Sequence, residues 1–416
     1  MGAPANPMPK SVSVENAHVQ LSQVSIRPHS TIARGIAAWA AIGALLCLVA
    51  CPRSSQPARS QSGTTQTLEA IVRDFAAQHR LPGLAAGVWR RGEVILRMGV
   101  GHRAGPGSPP IDGETVFHLA SVTKPFVATA VMQLVADGKM CLDCPLRRYL
   151  PYFSMQGPGA DQIAIRQLLT HTAGTGDTSN FGWTTPEYDD GAVERYVRSL
   201  ASVRLVFVPG SEWRYSNRGF DVLADAIAKA DGQPFEAVVQ RRILTPLGMR
   251  GSTLLMSDVD SARMALGHRR DGRPVGYYPY NRRHAGSSTL HSTLNDMLRW
   301  AAANLGRGAL DQRRILPASA YDDLWHPYRD IRATIAEQTR RAGYVFPYDS
   351  LAIGLSWFLP VQDGRQLVYH SGSDPGFASN VLLSPSEQIG VVVLINANGA
   401  DPRALSRSLL DAACRN

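Results

Sequence analysis

Apolar positions along the chain change period three times, and the changes divide it into regions. Leu68, Ile71, Val72 and Phe75 recur with helical spacing, and Leu81-Pro82-Gly83 stops that helix. Gly83 to Trp89 and Val94 to Val100 then read as two strands joined by a tight turn at Arg90-Arg91-Gly92. The middle of the chain is helical. A helix begins near Ser121, carries the apolar segment Phe126 to Val135 and ends at Asp137-Gly138. Gln162 to Leu169 and Ala192 to Leu200 are amphipathic. Val222, Leu223, Ala226, Ile227 and Ala230 share one face up to Gly232, and Asp296 to Leu305 predicts another helix. Strands return late, at Gly354–Leu359, Gln366–Ser371, Ser379–Leu383 and Ile389–Ile395, before a last helix from about Arg403 to Ala413. His326 to Tyr348 is basic and irregular and reads as a loop bordering a cleft. Strands at both ends predict an α+β fold. One antiparallel sheet (about 66–115 and 350–413) is flanked by terminal helices, and a helical region (about 116–349) is inserted into it. No internal repeat is visible.

Upstream, Arg34 precedes an apolar run from Ile36 to Leu48, of signal-peptide length and too short to span a bilayer. It ends in Leu48-Val49-Ala50-Cys51, which resembles the lipobox of bacterial lipoproteins. That resemblance implies cleavage before Cys51, its lipidation, and a membrane-anchored place in the cell envelope facing the periplasm. Residues 1–51 are then a signal segment, and 52–65, rich in Ser, Gln, Thr and Pro, a flexible tether. Composition adds little. The chain is 44% hydrophobic and 19% charged, as a globular protein is, and long enough for a core without staples. Its net charge of +9 comes from scattered arginines with no interleaved basic and aromatic residues, so no nucleic-acid partner is expected. Cys141 and Cys144 form a lone C-x-x-C with no second pair and no nearby histidines. This argues against zinc and leaves a local disulfide or two packed thiols.

The candidate chemistry starts at Ser121-Val122-Thr123-Lys124. Serine needs a base, and lysine becomes one when burial or neighbouring cations lower its pKa. A spacing of three puts both on one helix face, and Pro125 fits only near a helix N-terminus. Two further segments can face such a site. In Tyr215-Ser216-Asn217, residues two apart point the same way in an extended loop. The phenol can relay a proton if a cation lowers its pKa, and Asn217 can bind a substrate amide or orient the lysine. In His370-Ser371-Gly372-Ser373, Gly372 admits a close backbone approach and the amide of Ser373 can donate to an oxyanion. His171, in Leu168-Leu169-Thr170-His171-Thr172-Ala173-Gly174, reads as a structural helix-end residue.

Together these motifs, with Ala285-Gly286-Ser287-Ser288 before a helix, resemble the serine β-lactamase and penicillin-binding-protein superfamily. The resemblance runs from about Leu68 to Ala413. It points to the group containing class C β-lactamases, D-alanyl-D-alanine carboxypeptidases, D-aminopeptidases and related esterases. It implies Ser121 as acylated nucleophile, Lys124 as its base partner and Tyr215 as a second base serving the leaving group. Asn217 would hold the substrate amide, His370, Ser371 and Gly372 would line the substrate site, and the amides of Ser121 and Ser373 would form the oxyanion hole. It implies no metal and no cofactor. One departure stands out: class C β-lactamases carry Lys-Thr-Gly where this chain has His370-Ser371-Gly372. The branch suggested is thus the carboxypeptidase or D-aminopeptidase one, acting on a small molecule or peptide, an amide, a D-amino-acid peptide or an ester. A class C-like β-lactamase, an esterase, or an idle relative that only contacts peptidoglycan is the alternative.

Overall fold

The computed structural model describes residues 59–178, 180–341 and 346–415. Cys51 and the apolar run before it lie outside them. Helix α1 (Arg59–Gln78) opens the described chain and begins inside the expected tether. The Ser/Thr-rich composition hid a packing stripe. Thr64 is buried, and Thr65 Oγ1 donates to the Ile95 carbonyl at 3.3 Å, so contact with the sheet carries the helix back through a polar stretch.

The hairpin β1 (Gly83–Arg90) and β2 (Glu93–Gly101) follows, with β1 and β2 antiparallel. Next come β3 (Phe117–His118) and α2 (Thr123–Ala136), then α3 (Ile165–Leu169), α4 (Ala192–Ser199), α5 (Asn217–Asp231) and α6 (Phe235–Val239). After these lie α7 (Ala285–Ser288), β4 (His291–Ser292), α8 (Leu294–Leu305), the small ribbon β5 (Ala309–Leu310) and β6 (Arg313–Arg314), and α9 (Ala320–Leu324). The chain then re-enters the sheet with β7 (Arg329–Asp330), passes through α10 (Arg332–Arg341), and lays down β8 (Ser350–Ile353), β9 (Phe358–Gln362) and β10 (Arg365–Gln366). It ends with β11 (Val368–Asp374), β12 (Phe377–Ser384), β13 (Ile389–Ile395) and α11 (Pro402–Cys414). The main sheet runs β2-β1-β13-β12-β11-β9-β8-β7, with β10 on β9.

Strands from the two ends of the chain therefore share one antiparallel sheet, Leu84 facing Ile395 and Val88 facing Val391. Alternation sorts the side chains. Leu84, Ala86, Val88, Val391 and Val393 pack with Leu68, Val72, Leu405 and Leu409 of the terminal helices. Ala85, Val392 and Leu394 face a second core with Leu294 and Leu298 of α8. α8 thus sits on the sheet, although it lies within the helical stretch of sequence. Gly87 lets it approach: a Cβ there would be 2.9 Å from Leu298 Cδ1.

Two local expectations are corrected. Of the strand expected at Gly354–Leu359, only Phe358 and Leu359 belong to β9; residues 354–357 are the turn between β8 and β9, with Ser356 at φ +73° and the Gly354 amide donating to the Trp357 carbonyl at 2.8 Å. Leu355 and Trp357 are apolar because the turn is buried. The stretch 326–348 holds β7 and α10 where a loop was expected. Of the two states left open for Cys141 and Cys144, the disulfide is the one present, just beyond α2.

Candidate active site

A 3-10 turn, Ala120–Val122, leads directly into α2. Ala120 sits at φ +48°, a conformation costly for a residue with a Cβ. It is held from two sides. Thr123 Oγ1 donates to the Ala120 carbonyl at 2.7 Å and accepts from the Leu290 amide at 2.9 Å. Ser121 is left half-buried at the mouth of the turn, with Lys124 fully buried behind it.

The lysine Nζ donates to Ser121 Oγ at 2.9 Å, to Asn217 Oδ1 at 2.6 Å and to the Ser287 carbonyl at 2.9 Å. Burial lowers its pKa to about 8, against the opposing pull of Asp221, Asp177 and Asp374. An amine in that range, in contact with a serine hydroxyl, can take its proton near neutral pH.

α5 supplies Asn217 from its first turn. Ser216 caps the helix, its Oγ accepting from the Gly219 amide at 3.1 Å. Asn217 Nδ2 donates to Asp177 Oδ2 at 3.1 Å, and its backbone amide to Asp177 Oδ1 at 2.9 Å. Of the two roles open to Asn217 in the sequence, lysine orientation is therefore the one its carbonyl already serves.

Tyr215 precedes the cap. Lys124 Nζ lies 5.0 Å from its ring centroid, and the ring stacks on His171 with centroids 4.4 Å apart. Burial drives the phenol pKa well up. Hydrogen bonding with Ser121 opposes the rise, and Asp177 and Asp374 add to it. Desolvation, and not the expected cation, governs the phenol, and Tyr215 is a neutral hydroxyl beside the nucleophile. His171, at φ +57°, accepts the Ser216 amide on Nδ1 at 3.1 Å and is kept neutral by burial and then by Lys124. It shapes the Tyr215 segment, as its place after a helix end suggested.

β11 forms the opposite wall. It pairs with β12 throughout but with β9 only at Tyr369–Phe358, so among the described residues no other strand borders it from His370 onward. Gly372 faces Ser121. A Cβ there would stand 2.1 Å from the Leu119 carbonyl oxygen and 3.0 Å from the Ser121 amide nitrogen. Gly372→Ala is accordingly expected to push the nucleophile turn off β11, costing about 1–3 kcal/mol as overpacking does and lowering kcat at least tenfold. Thermal melts and kinetics on the variant check both. Alternation sends the neighbours elsewhere. Ser371 Oγ donates to Asn380 Oδ1 at 3.0 Å, and Asn380 Nδ2 to Ser406 Oγ of α11 at 2.8 Å, so that hydroxyl is committed away from the cleft. Ser373 is exposed. His370 is buried, its Nδ1 donating to the Ser371 carbonyl at 2.8 Å, and burial, then Lys124, pulls its pKa down to about 3.

Several site residues escaped the sequence reading. Asp177 comes from an irregular loop with no periodic signal. Asp374 ends β11, where Ser288 Oγ donates to it and His118 Nε2 lies 2.8 Å from the same oxygen. Asp221 follows Asn217 by four residues on α5, a spacing that could have flagged it. Among the described residues no group of His, Cys, Asp and Glu is arranged to hold a metal ion.

The family model for β-lactamases matches residues 68–413, which takes in every one of these groups except Cys51. The chain belongs to the β-lactamase family. With Ser121 and Lys124 in contact at its centre, it is a β-lactamase-fold serine hydrolase. Among curated relatives, an esterase, EstB, from Burkholderia gladioli is 31% identical over 327 residues, covering 69% of this chain and 79% of the relative. The protein flp of Staphylococcus aureus is 26% identical over 82% of this chain but only 64% of its own length. Among solved β-lactamase-family structures, an octameric penicillin-binding protein homologue from Pyrococcus abyssi superposes with a TM-score of 0.72 at 23% identity, over 84% of this chain and 77% of that one. A class C β-lactamase in complex with cefoxitin gives 0.69 at 20% identity, over 85% and 99%. At those identities the structures speak for the fold alone.

Proposed function

We propose that the protein cleaves esters and uncharged amides through an acyl-enzyme on Ser121. Lys124 takes the serine proton, Tyr215 passes a proton to the leaving group, and the amides of Ser121 and Ser373 hold the oxyanion. The observation that carries the substrate class is His370. A lysine at that position gives class C β-lactamases a fixed cation; here a buried, neutral imidazole takes its place. The other charges acting on Lys124 and Tyr215 are the carboxylates of Asp221, Asp177 and Asp374. A substrate with a carboxylate beside the scissile bond meets repulsion there. A neutral ester or amide does not. The kinship with the Burkholderia gladioli esterase agrees with this reading.

A second reading, D-aminoacyl amides or D-amino-acid peptides, is favoured by the unpaired edge of β11, against which an extended backbone can lie. A panel of short acyl esters, D-aminoacyl amides, D-Ala-D-Ala peptides and a chromogenic cephalosporin separates the two, and fluorescent-penicillin labelling reports any acylation by β-lactams. Fast turnover of the last two substrates, with slow ester cleavage, would sink the proposal. His370→Lys is expected to raise kcat/KM for carboxylate-bearing substrates roughly ten- to a hundredfold, the worth of one charge-assisted hydrogen bond. Neutral esters should change little, and equal loss on all substrates would make His370 part of the catalytic machinery.

The place of action we propose is the cell envelope, with the chain held to the membrane by lipid on Cys51. Cys51→Ala is expected to leave the precursor uncleaved or to move the protein out of the membrane fraction. Unchanged processing and unchanged detergent partitioning would refute the anchor.

A further inference from the structure

Helix α5 presents two polar residues one turn apart toward the lysine. Asn217 touches it. Asp221 does not, yet it is 0% exposed, and so is the His284 that contacts it. Asp221 Oδ2 meets His284 Nδ1 at 2.8 Å, and Oδ1 accepts from the Ser287 amide at 3.0 Å. The carbonyl of that same Ser287 receives Lys124 Nζ at 2.9 Å. One residue of α7 therefore joins the buried carboxylate to the buried amine. α7 can come this close because Gly286 has no side chain: a Cβ would stand 2.0 Å from the Phe220 carbonyl oxygen. The imidazole is fixed in turn. Its Nε2 accepts from Arg283 Nε at 3.1 Å, and the rings of Phe181 and Tyr196 pack on it at 4.8 and 4.9 Å. A buried carboxylate costs stability that an apolar side chain of like size would not, so packing alone does not account for it.

We infer that Asp221 and His284 are a positioning pair, which fixes α7 beneath Lys124 and sets how readily the lysine gives up its proton. The inference rests on the reading of Lys124 as the base. Asp221 is the largest of the three carboxylate influences that work against burial at Lys124, ahead of Asp177 and Asp374. The other titratable groups around the lysine are Ser121 and Tyr215, and the neutral imidazoles of His171 and His370. Asp221 itself is faced by His284 and, from α4, by Tyr196, whose hydroxyl burial and then Asp221 push up to about 12. Arg283 lies behind the imidazole, and Arg218 acts on Tyr196. Removing the carboxylate leaves the ammonium with less to stabilise it. Lys124 then deprotonates at lower pH, and its neutral, proton-accepting form prevails further into the acid range.

The chain has only four lysines, Lys10, Lys124, Lys139 and Lys229, so their 13Cε resonances can be followed one by one in the full protein. In the wild type the Lys124 signal should titrate near pH 8. In Asp221→Asn it should titrate about one unit lower, with Lys139 and Lys229 unmoved, and the acid limb of kcat/KM for a neutral ester should shift with it. The double variant Asp221→Asn/His284→Gln replaces the pair with two amides that can still donate and accept; it serves if the single variant does not fold. His284→Gln alone keeps the carboxylate but removes the imidazole that fixes it, and should move the Lys124 titration by less than Asp221→Asn does. An unchanged Lys124 titration in a folded charge-removed variant overturns the inference. A shifted lysine signal with an unshifted activity limb supports the pair and strikes instead at Lys124 as base.

Discussion

Ser121→Ala is expected to turn over no substrate and to take no covalent label, while melting at the wild-type temperature within a degree or two. The hydroxyl is half-buried and is met by Lys124 Nζ at 2.9 Å and by the Tyr215 hydroxyl, so deleting it removes polar contacts and little packing. What it removes is, among the described residues, the only nucleophile that the lysine touches. Without it no acyl-enzyme forms, and binding alone gives no turnover. Intact-mass and peptide mass spectrometry after treatment with a fluorophosphonate check this directly. The wild type should gain one adduct on the peptide containing Ser121, and an adduct on any other serine ends the proposed mechanism. A wild type that binds peptidoglycan fragments yet never acylates would point to an idle, binding relative.

The second large effect falls on the proton path. Lys124→Ala and Tyr215→Phe should each lower kcat by on the order of 10²-fold or more, as positioned acid–base groups do. The double variant should be scarcely worse than the poorer single one, because both groups serve one proton transfer through one hydroxyl. Their geometry makes the coupling plain: the amine lies over the tyrosine ring at 5.0 Å, and both meet Ser121. Additive losses would assign Tyr215 to the local fold, where its stack on His171 at 4.4 Å already gives it a part. Kinetics on a neutral ester for the two single variants and the double one settle it.

The lysine's approach to the serine could be read from spacing alone, because three residues on a helix fix a direction. The terminal strands could be read from another signal: Gly83–Trp89 is a short run closed by the Arg90-Arg91-Gly92 turn, and Ile389–Ile395 is a short run rich in β-branched residues, too short for most helices. What the sequence hid depends on contacts between distant segments. Trp357 and Leu355 looked like strand residues because burial, whatever the backbone conformation, selects apolar side chains. The start of α1 looked like tether because threonines pack on the sheet where aliphatics usually would. Tyr215 was read as tunable by a cation, and only the packed site reveals that desolvation governs the phenol. Asp177 reaches Asn217 across a loop, a contact that no local pattern announces. Ser371 looked like a cleft residue by position in a motif, and the pleat turns it away.

The pairing of β1 with β13 has a consequence for how the chain comes into being. β13 is the strand between β1 and β12, and it is synthesised long after β1. Until it arrives, the amino-terminal hairpin has no neighbour on one side and the carboxy-terminal strands have none on the other. Sheets built from such remote segments fold slowly, because a long loop must close before any contact rewards it. A nascent or prematurely ended chain that stops before Ile389 presents two bare strand edges, the kind of surface that seeds aggregation. The nucleophile turn, although encoded in the first third of the chain, leans on β11 and so has no finished wall until the final strands are in place. Pulse-labelled or stalled chains of increasing length should therefore stay protease-sensitive and unable to acylate until β13 and α11 are complete, then gain both properties together.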